Sequence, residues 1–152
     1  MKVGDVVKNF ILKDEHGNDF ELYKNLDKKV LLAFYPKDDT PTCSSQLAEY
    51  NHNLDEFIKN GVTVVGISKD SVDSHSNFCN KLKLNFPLLA DNDKTVSKQF
   101  NAINFLGMNK RLLVLIGTDR KVFWTDSTLP VTYIKTVEIL EKVKLLSIKE
   151  MT

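Results

Sequence analysis

Short, continuous apolar runs that alternate with helical patterns are the feature of this sequence that most restricts its fold. Residues 30–35 read Val-Leu-Leu-Ala-Phe-Tyr, and residues 62–68 and 111–116 hold similar runs of strand length. A strand that is apolar on both faces is typical of a central sheet covered by helices. Apolar residues recur at helical spacing within 41–59 and 71–84, after the first two runs. The sequence therefore predicts an α/β fold.

The rest of the chain completes a mixed order of strands and helices. We expect a hairpin at 9–22, a strand at 86–89, a helix at 95–100, a strand pair at 111–116 and 121–125, and a closing helix at 130–148. This order is compatible with a thioredoxin-like sandwich, a central mixed sheet flanked by helices, although the pattern alone also allows a flavodoxin-like sheet. Because no repeat, low-complexity tract or linker interrupts it, residues 1–152 are expected to form a single domain.

The balance of charged residues argues against a polyanionic partner. Lysine and arginine number 21 against 20 aspartates and glutamates, which leaves a formal net charge of +1. We therefore expect neither a nucleic-acid partner nor an anionic membrane surface. The apolar runs are far shorter than the roughly 20 residues of a membrane helix. Residues 1–5 lack the apolar stretch of a signal peptide, so we expect a cytoplasmic protein.

The chain has two cysteines, Cys43 and Cys79. In a reducing cytosol a permanent structural disulfide is not expected, and two thiols alone cannot complete a structural zinc site. The histidines are not at metal-ligand spacing from either cysteine, and no phosphate-binding loop or dinucleotide fingerprint occurs. We therefore expect no metal and no cofactor. Two unrelated buried thiols and one reactive pair are both possible at this point.

The residues before Cys43 place it at the start of a helix. Pro41 suits the first helical position, which makes Thr40 the N-cap and Cys43 the third helical residue. An N-cap side chain normally accepts a hydrogen bond from the amide of that third residue. Helix N-termini favour anions, and a cysteine placed there can have its pKa lowered from about 8.5 to between about 3.5 and 7.5. The pattern predicts a reactive thiolate, with a merely packed thiol as the alternative. Asp38 and Asp39 are expected to lie on a solvated loop.

A family resemblance becomes visible in this segment. Pro36-x-x-x-Thr40-x-x-Cys43 matches the P-x-x-x-T-x-x-C signature of peroxiredoxins. The longer string at 34–41, Phe-Tyr-Pro-Lys-Asp-Asp-Thr-Pro, resembles the bacterioferritin-comigratory-protein branch, also called peroxiredoxin Q. Further similar segments follow in family order at Asp14-x-x-Gly17, residues 64–70, residues 86–91 and Arg111. The resemblance thus covers nearly the whole chain.

The resemblance implies a thioredoxin-like fold and a thiol peroxidase that reduces hydrogen peroxide and organic hydroperoxides. Cys43 would be the peroxidatic cysteine, which attacks the terminal peroxide oxygen and becomes a sulfenic acid. Thr40 would orient the thiolate and the peroxide, and Pro36 would shield the site from water. Arg111 would hold the thiolate anionic and help position the peroxide, a role that suits a permanently charged fork of donors. Gln46 occupies a place near the arginine in the family, but an exposed helix position is equally compatible with the sequence.

The second cysteine raises the question of how a sulfenic acid would be reduced. Many members of this branch carry the resolving cysteine on the same helix, where this chain has Ala48. Others place it on the next helix, as Cys79 is here, so the resemblance implies a Cys43–Cys79 disulfide and a thioredoxin-like reductant. A disulfide needs Cα atoms within about 7 Å, and neighbouring helix axes lie roughly 10 Å apart. We therefore expect local unwinding around Cys43.

Three alternatives accompany this interpretation. If Cys79 is inert, the enzyme is a one-cysteine peroxidase reduced by an external thiol. A thiol–disulfide exchanger normally has a C-x-x-C pair, but Gln46 stands at the second cysteine position. A non-enzymatic redox sensor or binding module would use oxidation to change its helix packing. His75, one helical turn before Cys79, is interpreted as an ordinary amphipathic residue, and the family branch favours a monomer.

Overall fold

A seven-stranded mixed sheet forms the centre of the molecule. The computed structural model describes residues 1–150. Its strands are β1 (Ile11–Lys13), β2 (Asp19–Glu21), β3 (Lys29–Phe34), β4 (Val62–Ser68), β5 (Leu88–Ala90), β6 (Arg111–Ile116) and β7 (Val122–Thr128). They are ordered β2-β1-β5-β4-β3-β6-β7. β4 pairs in parallel with β3 and β5, whereas the other neighbouring pairs are antiparallel. The predicted mixed sheet and both predicted hairpins are confirmed.

Helices cover both faces of this sheet. They are α1 (Pro41–His52), α2 (Leu54–Lys59), α3 (Val72–Leu82), α4 (Thr95–Gln99) and α5 (Thr136–Glu150), with a 3₁₀ turn at Leu22–Asn25. Most predicted bounds lie within a few residues of these. Among residues 1–150, no helix is both long enough and apolar enough to cross a membrane.

The central strand β3 has a side chain in one of two cores at every position from Val30 onward. Leu31 and Ala33 contribute to the core beneath α1, α2, α3 and α5. Val30, Leu32 and Phe34 contribute to the core beneath α4 and the N-terminal segment. Successive strand residues point to opposite faces, so a continuous apolar run is what a strand between two helical layers requires. This explains why the run at 30–35 predicts a central strand.

The single helix predicted at 41–59 is in fact two helices that meet at Asn53. The side-chain Nδ2 of Asn53 donates to the carbonyl oxygen of Glu49 at 2.9 Å. Its own carbonyl accepts from the amide of Glu56 at 3.0 Å, which begins the next helix with a tighter turn. Asparagine offers the backbone such local alternatives to a continuous helix. The prediction was therefore wrong at this one residue.

The C-terminal helix begins at Thr136 and not, as predicted, at Pro130. The Glu49 carboxylate accepts hydrogen bonds from the Thr136 amide at 2.6 Å and from its hydroxyl at 2.7 and 2.9 Å. A carboxylate at this position accepts a hydrogen bond from an N–H group that has no partner within the helix, and its negative charge is attracted to the positive end of the helix dipole. A residue remote in sequence therefore fixes where α5 begins.

The ends of β3 and β6 bring the candidate site together. β3 ends at Phe34, and the loop at 35–40 leads from it into α1. β6 begins at Arg111 and runs antiparallel to β3, with Leu113 opposite Ala33. In an antiparallel pair the start of one strand lies beside the end of the other. Arg111 and the N-terminus of α1 consequently lie at the same end of the sheet.

Candidate active site

Cys43 and Arg111, both predicted site residues, are in contact and buried. The Cys43 thiol is fully buried in the first turn of α1, and Arg111 is 3% exposed. Nη1 of Arg111 lies 3.3 Å from Cys43 Sγ and 2.8 Å from Oε1 of Gln46. Its Nε and Nη2 donate to the carbonyl oxygen of Pro130 at 3.3 and 2.8 Å. The guanidinium is therefore held in one orientation against the sulfur.

The charge of Arg111 has no carboxylate partner at this site. Within residues 1–150, none of the ion pairs involves Arg111, and its other two acceptors are a neutral amide and a backbone carbonyl. A buried cation is costly unless an anion compensates it. Cys43 Sγ is the contacting atom that can become that anion. The arrangement therefore places an uncompensated positive charge beside the Cys43 sulfur.

Thr40 is the N-cap of α1, as predicted, but its side chain does not make the predicted cap bond. Its hydroxyl instead donates to the carbonyl oxygen of Lys37 at 3.0 Å and so closes the loop before the helix. The first turn of α1 therefore receives no hydrogen bond from the side chain of its N-cap residue. Pro36 lies in the same loop and is half-buried.

Asp38 is buried, which contradicts its predicted place on a solvated loop. Its carboxylate accepts from the hydroxyls of Tyr35 at 2.5 Å and Ser74 at 2.8 Å, and it lies 2.7 Å from Nδ1 of His75. The same prediction holds for Asp39, which is exposed. Burial first, and then the Asp38 carboxylate, raise the pKa of the Tyr35 phenol well above its usual value. Asp38 thereby ties the loop before α1 to α3.

His75 lies on the buried side of α3 and is fully buried. Its hydrogen-bond contacts do not include Cys79. Its Nδ1 faces Asp38, and its Nε2 lies 3.0 Å from the carbonyl oxygen of Leu89. Both ring nitrogens thus lie at hydrogen-bond distance from oxygen atoms. His75 anchors α3 to the loop and to β5.

Cys79 lies on α3 in surroundings of the opposite charge. Its side chain is buried, and its Sγ is 3.8 Å from Oε2 of Glu15. The same Glu15 oxygen accepts from the amide of Leu88 at 3.1 Å, which fixes the carboxylate in place. Burial first, and then the Glu15 carboxylate, raise the pKa of Cys79 to about 12. Cys43 and Cys79 are both free thiols in this structure.

Two further residues belong to the site: Gln46, whose position the sequence leaves open, and Tyr50, which the sequence does not indicate. Gln46 is fully buried and bonded to Arg111, which excludes the exposed alternative. Tyr50 reads in the sequence only as an apolar position of α1, yet its hydroxyl contacts Gln46 at 3.1 Å. The one sequence signal for a buried network here is that Tyr50 brings a hydroxyl to a helix face that is otherwise apolar.

A buried cysteine at a helix N-terminus, held against an unpaired arginine on an α/β sandwich, defines the class of thiol-dependent oxidoreductases. Comparison with known proteins narrows this class. The sequence model of the AhpC/TSA family matches residues 3–125. Peroxiredoxin Bcp of Escherichia coli is 38% identical over 80% of this chain and 83% of its own. The chloroplastic peroxiredoxin Q of Triticum aestivum is 40% identical over 64% of this chain and 45% of its own.

Solved structures agree with these sequence matches. The crystal structure of peroxidoxin BcpB from Mycobacterium tuberculosis has a TM-score of 0.84 and 31% identity, covering 97% of both chains. That of a cysteine-to-serine mutant of Xylella fastidiosa PrxQ has a TM-score of 0.85 and 28% identity, covering 98% of both. The chain belongs to the AhpC/TSA family and is a peroxiredoxin, a thiol peroxidase with a thioredoxin-like fold. The predicted family, fold and enzyme class are confirmed, and the flavodoxin-like alternative is excluded.

Proposed function

We propose that Cys43 is the peroxidatic residue of this thiol peroxidase, and that its substrates are hydrogen peroxide and organic hydroperoxides. The observation that carries the proposal is the 3.3 Å contact between Cys43 Sγ and Nη1 of Arg111, a buried cation that no carboxylate within residues 1–150 neutralises. The thiolate, not the thiol, is the nucleophile, so this contact maintains the reactive form.

In the first step the Cys43 thiolate attacks the terminal oxygen of the hydroperoxide. The S–O bond forms, the O–O bond breaks, and the leaving alkoxide or hydroxide takes up a proton from solvent, which replaces the proton that the Cys43 thiol released on ionising. Arg111 and the uncapped amides of α1 face the charge that develops. Because the Thr40 hydroxyl donates to Lys37, its oxygen can accept a hydrogen bond from the peroxide. Pro36 would limit the access of water to the resulting sulfenic acid.

In the second step Cys79 would resolve that sulfenic acid. Its sulfur attacks Cys43 Sγ, the S–S bond forms, and the oxygen leaves as water with the proton of Cys79. Neighbouring helix axes are too far apart for this bond, so the first turn of α1 unwinds. Cys79 must also lose its proton, since its pKa of about 12 keeps it a thiol in the folded state. A thioredoxin-like dithiol protein would then reduce the disulfide of a cytoplasmic, monomeric enzyme.

A second candidate is a one-cysteine peroxidase in which Cys79 takes no part. The specific observation in its favour is the same Cys79 environment, because a buried thiol beside a carboxylate is a poor nucleophile. The Cys43 sulfenic acid would then be reduced directly by an external thiol.

Steady-state turnover of Cys43→Ser and Cys79→Ser tests the proposal. With hydrogen peroxide, thioredoxin and its reductase, both variants are expected to lose turnover. With dithiothreitol as the reductant, Cys79→Ser regains it and Cys43→Ser does not, because an external dithiol replaces the resolving thiol. Full thioredoxin-dependent turnover of Cys79→Ser would instead establish the one-cysteine mechanism. Full turnover of Cys43→Ser would overturn the proposal itself.

A further inference from the structure

A chain of buried hydrogen bonds runs from the backbone before α5 to the sulfur of Cys43. The Tyr50 hydroxyl donates to the carbonyl oxygen of Ile134 at 2.6 Å. Nε2 of Gln46 donates to the Tyr50 oxygen at 3.1 Å, and Oε1 of Gln46 accepts from Nη1 of Arg111 at 2.8 Å. That same nitrogen lies 3.3 Å from Cys43 Sγ. The chain therefore ends on the reacting atom.

Every bond of this chain has only one possible direction. The Ile134 carbonyl has no hydrogen, so the single hydrogen of the Tyr50 hydroxyl is committed to it. The Tyr50 oxygen can then only accept from Gln46, which turns the amide NH₂ toward Tyr50 and the amide oxygen toward Arg111. A reversed amide would place its NH₂ group against the guanidinium and its oxygen against the lone pairs of Tyr50. Tyr50 thus selects one of the two amide orientations.

Burial preserves the Gln46 amide orientation that Tyr50 selects. Tyr50 and Gln46 are both fully buried, so water cannot replace either bond. Burial is also the main cause that raises the pKa of the Tyr50 phenol above its usual value, so the hydroxyl keeps its hydrogen. The other ionisable groups that face Tyr50 are Glu49, Tyr133 and Arg111. The Glu49 carboxylate is bound by Thr136 at the start of α5.

We propose that Tyr50 is a positioning residue for the peroxidase reaction: its hydroxyl orients the Gln46 amide so that Oε1 holds Arg111 against Cys43 Sγ. The inference rests on the proposed roles of Cys43 and Arg111. Its consequence is that a neutral side chain positions the arginine. A carboxylate at position 46 would orient the guanidinium equally well, but it would compete with the thiolate for the positive charge. Tyr50 allows an uncharged amide to serve instead.

The test is the second-order rate of Cys43 oxidation by hydrogen peroxide as a function of pH, in the full chain carrying Tyr50→Phe. We expect the rate at neutral pH to fall about tenfold, the loss expected when one orienting hydrogen bond is removed. We also expect the midpoint of the pH–rate profile to move upward, since Arg111 no longer stabilises the thiolate as well. A role in packing alone would not move that midpoint.

Tyr23→Phe is the matched control. Tyr23 also donates its hydroxyl to a backbone carbonyl, that of Val7, at 2.6 Å. It packs against the other core of the sheet. The control therefore removes the same kind of bond away from Cys43, and it should leave both the rate and the midpoint unchanged. An unchanged rate and midpoint in Tyr50→Phe as well would overturn the inference.

A double-mutant cycle with Gln46→Ala tests whether Tyr50 acts through the amide. If it does, Tyr50→Phe has little further effect on the oxidation rate once the Gln46 amide is absent. If the two losses in rate multiply instead, the residues act independently and the inference is overturned. Arg111→Lys separates this inference from the proposed function. A slow Arg111→Lys variant with a normal Tyr50→Phe variant would overturn the role of Tyr50 alone. A normal Arg111→Lys variant would show that a positive charge suffices without an oriented guanidinium, which would overturn the role of Tyr50 and leave that of Cys43 standing.

Discussion

Cys43 and Cys79 belong to the same core on one side of the sheet, yet their sulfurs contact opposite charges. Cys43 Sγ lies beside the guanidinium of Arg111, which is 68 residues away in sequence. Cys79 Sγ lies beside the carboxylate of Glu15, which is 64 residues away. The cation favours a thiolate, whereas the carboxylate and burial favour a neutral thiol. The comparison shows that two buried cysteines acquire different electrostatic surroundings from neighbours that the fold supplies.

This asymmetry matches the order of steps that we propose. In that order, the sulfur beside the cation reacts first with peroxide. The sulfur beside the carboxylate stays protonated, which protects it from oxidation because peroxide reacts with thiolates. It becomes a nucleophile only when it loses its proton. In the proposed mechanism, one thiol therefore reacts with peroxide and the other reacts only after it loses its proton.

The largest expected effect comes from removing the sulfur of each cysteine in turn. Cys43→Ser should slow the reaction with hydrogen peroxide by about three orders of magnitude or more, because a hydroxyl remains protonated where the thiol ionises. Cys79→Ser should leave the rate of this first step within about twofold. Stopped-flow measurement of peroxide consumption checks both. Equal losses in the two variants would remove the distinction between the cysteines.

The next largest effect concerns the contact that ties the loop before Cys43 to the helix bearing Cys79. Asp38→Ala should lower the free energy of unfolding by about 3–5 kcal/mol, since it leaves Tyr35, Ser74 and His75 without the carboxylate oxygens that they contact. Urea denaturation measures this change. Asp39→Ala is the matched control, because its ion pair with Lys81 is exposed and should contribute less than about 1 kcal/mol. Similar losses in both variants would show that the buried cluster has no special role.

Replacing the cation beside Cys43 should have an intermediate effect. Arg111→Lys should lower the rate with peroxide about 100-fold, because an ammonium group cannot bridge Cys43 Sγ, Gln46 and the Pro130 carbonyl together. Single-turnover kinetics at neutral pH measure the loss. Arg120→Lys is the control, since Arg120 is an exposed cation over the ring of Tyr23. A normal rate in Arg111→Lys would show that any positive charge suffices.

The smallest effect is expected at the anion beside Cys79. A negative neighbour raises the pKa of a thiol, so Glu15→Gln should lower the pKa of Cys79 below its present value of about 12. Burial, the larger cause, remains, so that pKa should stay above the ordinary range of a thiol. At a fixed mildly alkaline pH the thiolate fraction rises, and iodoacetamide should modify Cys79 about threefold faster. Both variants are made in a Cys43→Ser protein, so that Cys79 is the thiol that is alkylated. Glu56→Gln, on the exposed surface of α2, is the control. Equal alkylation rates would show that Glu15 does not affect Cys79.

Local signals and the family resemblance together predict most of the fold and part of the candidate site. The apolar run at 30–35 predicts the central strand because such a strand must fill two cores. Thr40 and Pro41 predict the start of α1, since proline suits a first helical turn. Arg111 follows from the resemblance rather than from spacing, because nothing near it in sequence indicates what it contacts.

What the sequence does not show depends on contacts between distant residues. Asp38 looks like a solvated loop residue until the fold places His75 and Tyr35 around it. The beginning of α5 is fixed by Glu49, which lies 87 residues before Thr136. Tyr50 reads as a core residue because its hydroxyl partners become adjacent only after folding. In each case the missing information is the identity of a tertiary partner, not a local preference.

The most direct test of the central claim is the intact mass of the protein after one equivalent of hydrogen peroxide, with free thiols alkylated at the quench. We predict that both thiols are lost without an added oxygen, and that Cys79→Ser instead carries one oxygen on Cys43. An oxygen on Cys79, or one on Cys43 while Cys79 of the unmutated protein stays free, would contradict the division of roles between the two cysteines.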